Sequence, residues 1–180
     1  MSARLKIATT SLAGCFGCHM SFLDIDERFK ELCEIAEFDR SPLTDIKKIR
    51  GQVDVALIEG GVCNSENVEV LRSFRAQSRF LVAVGACAIN GGIPAMRNHL
   101  SLEECLETAY LEAPGIESPM IPNDPELPLL LDQVHPIHEI VRVDYALPGC
   151  PPSADVFWHF LMDIAAGREP MLPHALIRFD

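Results

Sequence analysis

Four short apolar runs, each leading into a loop that contains glycine, constrain the fold of this chain more than any other feature. The runs lie at residues 5–10, 53–58, 80–84 and 140–145, and each has the length and aliphatic content of a buried strand. Segments with helical spacing of apolar residues separate them. Because alternating strands and helices are typical of a mostly parallel sheet with helices on both faces, the sequence predicts an α/β fold.

The segments between the runs are predicted to supply the covering helices. Helical patterns span residues 20–38, 65–78, 101–110 and 154–166, and a short helix is expected near 135–139. Five prolines exclude a continuous helix or central strand over residues 112–128, which should form an ordered excursion across the surface. With no repeat and no flexible linker, residues 1–180 are predicted to form one domain that ends in an extended arm, 167–180.

Charge, hydropathy and cysteine content narrow the functional classes. The formal charge of −11 argues against nucleic acid as a partner, because no basic stripe is available to neutralise phosphates. No apolar run has the length of a membrane span, and no apolar leader or twin arginine opens the chain, so we expect a cytoplasmic protein without a membrane partner. Seven cysteines in such a chain indicate thiols or metal ligands rather than a disulfide framework.

Four of the cysteines fall in loops that follow predicted strands. Cys15 and Cys18 follow the first strand, and Cys87 and Cys150 follow the runs at 80–84 and 140–145. Loops at the carboxyl ends of parallel strands converge at one edge of the sheet, so these thiols are predicted to meet there. Each loop also contains glycine, which lets the backbone approach a bound group closely; these residues are Gly14, Gly17, Gly85 and Gly149.

Four converging thiolates match the ligands of one [4Fe–4S] cluster or of a Cys₄ zinc site. Zinc sites usually combine two CxxC pairs, whereas here one pair is joined by two distant single cysteines, and this spacing favours the cluster. A thioredoxin-like redox motif at Cys15–Cys18 is a further alternative, but it leaves Cys87 and Cys150 unexplained.

The three remaining cysteines carry weaker signals. Cys63 follows the strand at 53–58 and could replace one of the four ligands or line the site near them. Cys33 lies near the apolar face of one helical pattern and Cys105 lies in another, and both are predicted to be small hydrophobic core residues rather than ligands.

The ordered motifs of this chain resemble those of the small subunit of [NiFe] hydrogenases. After the CxxC pair they read Glu59-Gly60-Gly61, Val84-Gly85-Ala86-Cys87-Ala88, Gly91-Gly92-Ile93 and Gly149-Cys150-Pro151-Pro152. The related subunit of complex I that holds its terminal cluster shares the last motifs but normally has two adjacent cysteines in the first. The separation of Cys15 from Cys18 therefore favours the hydrogenase branch.

The resemblance implies a flavodoxin-like domain that holds one [4Fe–4S] cluster through Cys15, Cys18, Cys87 and Cys150. The chain is similar in length to the short small subunit of soluble NAD(P)-reducing hydrogenases. In such enzymes the Ni–Fe centre is expected on a large subunit, and flavin and NAD(P) on a diaphorase module with its own iron–sulfur clusters. The implied role is electron transfer between these partners. A quinone-linked subunit of complex I type and a structural zinc or thiol-redox module remain as alternatives.

Two polar residues beside the predicted ligands are candidates for supporting roles. Glu59 ends the strand at 53–58 and is expected to cap the helix that follows; a proton relay or an unusual cluster ligand are the other interpretations. His19 directly follows Cys18, where it could donate a hydrogen bond to a cluster sulfide, contact the large subunit, or be exposed without a role.

Overall fold

A parallel five-stranded sheet forms the centre of the chain in the computed structural model, which describes residues 4–178. Its strands are β1 (Leu5–Ser11), β2 (Ala36–Phe38), β3 (Val53–Glu59), β5 (Ser78–Val84) and β7 (Tyr145–Leu147). The spatial order is β2-β1-β3-β5-β7, and all pairs are parallel. Counted along the chain, this is the 2-1-3-4-5 order of flavodoxin-like folds, so the predicted α/β class is confirmed.

Within residues 4–178, six α-helices accompany the sheet. They are α1 (Gly17–Leu23), α2 (Arg28–Ile35), α3 (Ser65–Gln77), α4 (Gly85–Asn90), α5 (Leu102–Tyr110) and α6 (Ala154–Ala165). One apolar cluster buries Phe22, Phe157 and Phe160 against one face of the sheet, and a second buries Leu71 and Phe74 against the other. Helices therefore pack on both faces, as the sequence predicts, and none within residues 4–178 has the length and hydropathy needed to cross a membrane.

The predicted single helix over residues 20–38 is wrong. The structure has two short helices, α1 and α2, followed directly by the edge strand β2. Asp26 between them adopts a left-handed backbone conformation with φ of 53°, which a continuous helix cannot contain. Helical spacing of the apolar residues is kept across this break because Phe22, Ile25 and Leu32 all belong to one buried cluster.

The predicted strand over residues 140–145 is also wrong, since β7 begins only at Tyr145. Ile140, Val141 and Val143 instead pack from a loop against the second apolar cluster, so their hydropathy reflects burial rather than strand pairing. Asp144 ends this loop. Its backbone N–H donates to Leu81 O at 2.8 Å, and its carboxylate accepts the Leu81 N–H at 2.9 Å.

A small second sheet was not predicted. Strand β4 (Val62–Asn64) pairs in antiparallel fashion with β6 (Leu130–His135). Between α5 and β6 the chain has no helix or strand, and this stretch contains the proline-rich residues 112–128. After α6, the tail has one short 3₁₀ helix (His174–Leu176), and Leu172 and Leu176 pack against the first apolar cluster. The last two residues of the predicted arm lie outside the described residues.

Replacing Asp144 with alanine is expected to lower the free energy of unfolding by about 2 kcal/mol, the typical loss when buried hydrogen bonds to a charged group are removed. Burial would raise the pKa of Asp144, but the Leu81 amide and Arg75 outweigh it and hold the pKa below its usual value. The stabilisation is therefore present above about pH 4 and lost as the pH falls through the lower folded-state pKa. Chemical denaturation at pH 7 and at pH 3 measures both effects.

Asp155→Ala provides the control for this prediction. Its ion pair with Arg28 lies at the surface, with the two side chains 55% and 35% exposed, and is expected to contribute no more than about 1 kcal/mol. Equal losses for Asp144→Ala and Asp155→Ala would contradict the role assigned to Asp144.

Candidate metal centre

The four cysteines predicted to meet line one cavity at the carboxyl edge of the sheet. The cavity has a volume of about 70 Å³, and the segments that follow β1, β5 and β7 bring Cys15, Cys18, Cys87 and Cys150 to it. Cys18 lies in α1 and Cys87 in α4, whereas the other two lie in loops. The segment after β1 lies beside the boundary between β1 and β3, where the strand order reverses. Flavodoxin-like folds bind their ligands at this switch point.

Local backbone geometry fixes the first two thiols. Phe16 has a left-handed conformation with φ of 66°, which turns the chain directly from the β1 loop into α1. Cys15 therefore lies before the helix and Cys18 within its first turn. The Gly17 N–H donates to Cys15 Sγ at 3.4 Å, so the backbone already directs a hydrogen bond at one sulfur. Gly14, Gly17 and Gly149 all line the same cavity.

Two glycines leave space for the thiols themselves. A Cβ atom on Gly85 would lie 2.4 Å from Cys18 Sγ, and the backbone there has φ of +78°. A Cβ on Gly92 would lie 2.9 Å from Cys87 Sγ, with φ of +49°. Any side chain at either position would collide with sulfur and strain the backbone. Gly92 was not predicted as a site residue, although the Gly91-Gly92 pair in the sequence was a usable signal.

The size of the cavity and the chemistry of its donors fit a multi-atom cluster. The cavity of about 70 Å³ is several times the roughly 10–15 Å³ that one water molecule requires. Four cysteine thiolates are also the number of ligands that a [4Fe–4S] cluster takes.

Burial affects the protonation of two of the four thiols. Burial, followed by the nearby Glu59 carboxylate, raises the pKa of the Cys18 thiol well above its usual range. Burial also raises the pKa of Cys87. A bound cation would instead deprotonate these thiols directly.

Glu59 and His19 form a buried pair next to this cavity. Glu59 is 3% exposed and His19 is 4% exposed, so the interpretation of an exposed histidine is wrong. The backbone N–H of His19 donates a hydrogen bond to Glu59 Oε2 at 3.0 Å. Glu59 thus caps α1 and not, as predicted, the helix after its own strand; that helix, α3, is capped by Asn64. Burial tends to raise the pKa of Glu59, but hydrogen bonds from His19 and Ser11 lower it below its usual value.

The three other cysteines lie outside the cavity lining. Cys63 Sγ contacts Asn67 Oδ1 at 3.3 Å, and burial raises the pKa of its thiol. Cys33 is exposed on α2 and Cys105 is half-buried on α5, so the prediction that both are core residues is wrong. The fold and the site together define a flavodoxin-like α/β domain with a cavity lined by cysteines at its switch point.

Comparison with known families agrees with this class. A sequence model described as NADH ubiquinone oxidoreductase, 20 Kd subunit, matches residues 15–164. The chain belongs to this family. Hydrogenase subunits are among its relatives, as the motif resemblance predicts.

Two curated relatives show how far the similarity extends. The chain is 44% identical to the NAD-reducing hydrogenase HoxS subunit delta of Cupriavidus necator, over 98% of this chain and 86% of that protein. It is 39% identical to a subunit of the F420-non-reducing hydrogenase of Methanothermobacter marburgensis, over 96% of this chain. The match spans only 57% of that longer protein.

Solved structures of hydrogenases also match this chain. A chain from the crystal structure of an NAD⁺-reducing [NiFe]-hydrogenase in the H₂-reduced state superposes with a TM-score of 0.96 and 61% identity. The match covers 99% of this chain and 100% of that chain. The [NiFeSe]-hydrogenase of Dm. baculatum matches with a TM-score of 0.60 at 18% identity, over 96% of this chain and 67% of that one, which shows a shared fold alone.

Proposed function

We propose that this chain is the electron-transferring small subunit of a cytoplasmic NAD(P)-reducing [NiFe] hydrogenase. One [4Fe–4S] cluster would be held by Cys15, Cys18, Cys87 and Cys150. The observation that carries the proposal is that these four thiols, from three segments far apart in the sequence, line one cavity at the switch point of the sheet. The similarity to an NAD-reducing hydrogenase subunit supports the assignment of the whole assembly.

The residues of this chain would act as ligands and as a surrounding shell. The four thiols bind iron, and the glycines let backbone N–H groups approach the sulfurs, as Gly17 already does with Cys15. When bound, the cluster supplies one-electron transfer between the Ni–Fe centre of a large subunit and a flavin- and iron–sulfur-containing diaphorase. Activation of hydrogen is assigned to the large subunit, because a Ni–Fe centre also needs four cysteine thiolates and the single CxxC pair of this chain is already assigned to the cluster. Binding of NAD(P) is assigned to the diaphorase.

Features of the surface support such an assembly. Met20 on α1 and Ile93 and Met96 after α4 are large apolar side chains with exposed fractions of 55%, 71% and 64%. Each lies within nine residues of a cavity cysteine in the sequence. Exposed apolar groups around a site are typical of a protein–protein interface.

Hydrogen-dependent spectroscopy of the native assembly tests this function. We expect hydrogen to generate the electron paramagnetic resonance signal of a reduced [4Fe–4S] cluster in this subunit, and NAD⁺ or NADP⁺ to remove it within the turnover time. Hydrogen-independent reduction of quinone in a membrane fraction would favour the complex I type subunit instead. A cluster signal that responds to neither hydrogen nor nicotinamide would contradict the proposal.

A further inference from the structure

A continuous chain of buried polar groups connects the loop after β2 with the cysteine cavity. Ser41, Thr9, His19 and Glu59 are 5%, 1%, 4% and 3% exposed. Ser41 Oγ lies 2.7 Å from Thr9 Oγ1, and Thr9 Oγ1 lies 2.8 Å from His19 Nε2. His19 Nδ1 then lies 3.1 Å from Glu59 Oε1. We refer to these four residues as the polar relay.

One assignment of hydrogens gives every side chain of the polar relay a partner. Ser41 Oγ accepts the Leu43 N–H at 3.1 Å and can donate its own hydrogen to Thr9. Thr9 donates to His19 Nε2, which leaves the hydrogen of the neutral imidazole on Nδ1, facing Glu59. The Nδ1–Oε1 contact has a suitable length but not the angle of a good hydrogen bond. The orientation of the ring therefore depends on Thr9 as much as on Glu59.

Stability alone does not explain a polar chain at this place. Burying polar groups has a cost, and matched apolar replacements are often neutral or stabilising. The position of the polar relay beside the cysteine cavity explains its presence better. Glu59, at the end of the relay, accepts a hydrogen bond from the backbone N–H of His19 in the first turn of α1. It also lines the cavity together with Cys18. A shift of the imidazole would move this carboxylate and the turn that carries the thiol.

We propose that the polar relay is a positioning device that holds the Glu59 carboxylate and the first turn of α1 in place and thereby sets the reduction potential of the group bound by Cys18. The inference deepens the proposed function, since it takes the cluster site as given. Negative charge and hydrogen bonds near the sulfurs tune such potentials, and partners behind the ligands orient them. Ser41 and Thr9 would act on the cluster only through His19 and Glu59.

Thr9→Val and its neighbour Thr10→Val test the proposal in the native assembly. Both threonines are buried on β1, 1% and 7% exposed, but alternate residues of a strand face opposite sides and only Thr9 contacts His19. At equal iron content, we expect Thr9→Val to shift the midpoint potential and the g-values of the reduced cluster. Thr10→Val should leave both unchanged, and Thr9→Ser, which keeps the hydroxyl, should restore the original values.

A double-mutant cycle shows whether Thr9 acts through Glu59. Glu59→Gln removes the carboxylate charge, so we expect it to raise the midpoint potential by itself. In the Glu59→Gln background, Thr9→Val should cause little further shift, because its effect is transmitted by that carboxylate. Potential shifts that simply add in the double variant would overturn the relay.

Ser41→Ala keeps the test decisive if Thr9→Val does not fold. Ser41 is the end of the relay farthest from the cavity, so a shifted potential in this variant supports the proposal and an unshifted one overturns it. The relay would be overturned, but not the proposed function, if the unmodified assembly has a normal cluster and Thr9→Val, Ser41→Ala and Thr10→Val all have its midpoint potential. An unmodified assembly without an iron–sulfur signal would overturn the proposed function together with it.

Discussion

Replacing Cys150 with serine is expected to remove the cluster or alter its spectrum, with at least the roughly 10- to 100-fold loss of activity that follows loss of an outer-shell partner. Cys150 is one of the four thiols that line the cavity, and it is the only one from the loop after β7. A serine hydroxyl is a much poorer ligand for iron than a thiolate. Iron content and the electron paramagnetic resonance spectrum of the purified assembly measure the effect.

Cys33→Ser is the matched control, because Cys33 is also an exposed thiol but lies on α2, outside the cavity lining. This variant should keep its iron, spectrum and activity. Loss of the cluster in Cys33→Ser with retention in Cys150→Ser would show that the ligand set is wrong.

Replacing Gly85 with alanine is expected to cause the second large effect. The new Cβ would lie 2.4 Å from Cys18 Sγ, and alanine at φ of +78° adds backbone strain of about 1–2 kcal/mol. Cys18 or the start of α4 must therefore move, and the four thiols would no longer line one cavity. We expect most of the iron to be lost and the free energy of unfolding to fall, measured by metal analysis and chemical denaturation.

Gly115→Ala separates the collision from the backbone strain. Gly115 has φ of +85°, almost the same as Gly85, but a Cβ there would have no atom within 4 Å. We expect a similar strain of about 1–2 kcal/mol with full iron content. If the two variants bind the same amount of iron, the close approach of Gly85 to Cys18 has no role in the site.

The sequence was sufficient to predict the elements that build the cavity. The strands that became β1, β3 and β5 are buried on both faces and so appear as continuous apolar runs. Since parallel strands place their following loops at one edge, the positions of Cys15, Cys18 and Cys87 followed from the strands alone. Cys150 was placed correctly although its strand was predicted too early, because β7 still ends just before it.

The predictions of secondary structure are wrong where side-chain burial and local backbone conformation determine which element forms. The helical spacing of Phe22, Ile25 and Leu32 continues across the turn at Asp26, so periodicity could not reveal the break. Ile140, Val141 and Val143 are apolar because they cover the sheet, and no pattern distinguishes that from pairing within it. The strands β4 and β6 are 3 and 6 residues long and 65 residues apart, and only the tertiary structure brings them together.

The polar partners of the site were the least predictable part. Glu59 was expected to cap the nearest helix in sequence, but the helix it contacts begins more than forty residues earlier. Thr9 and Ser41 carry no motif, and their contacts depend on the parallel pairing of β2, β1 and β3. Such contacts follow from strand order, which the local sequence does not encode.

Iron, acid-labile sulfide and zinc analysis of the anaerobically purified chain tests the central claim most directly. If Cys15, Cys18, Cys87 and Cys150 hold one Fe₄S₄ cube, each chain should contain about four iron atoms and about four sulfides and no stoichiometric zinc. A colourless protein that contains about one zinc per chain and no sulfide would contradict the account.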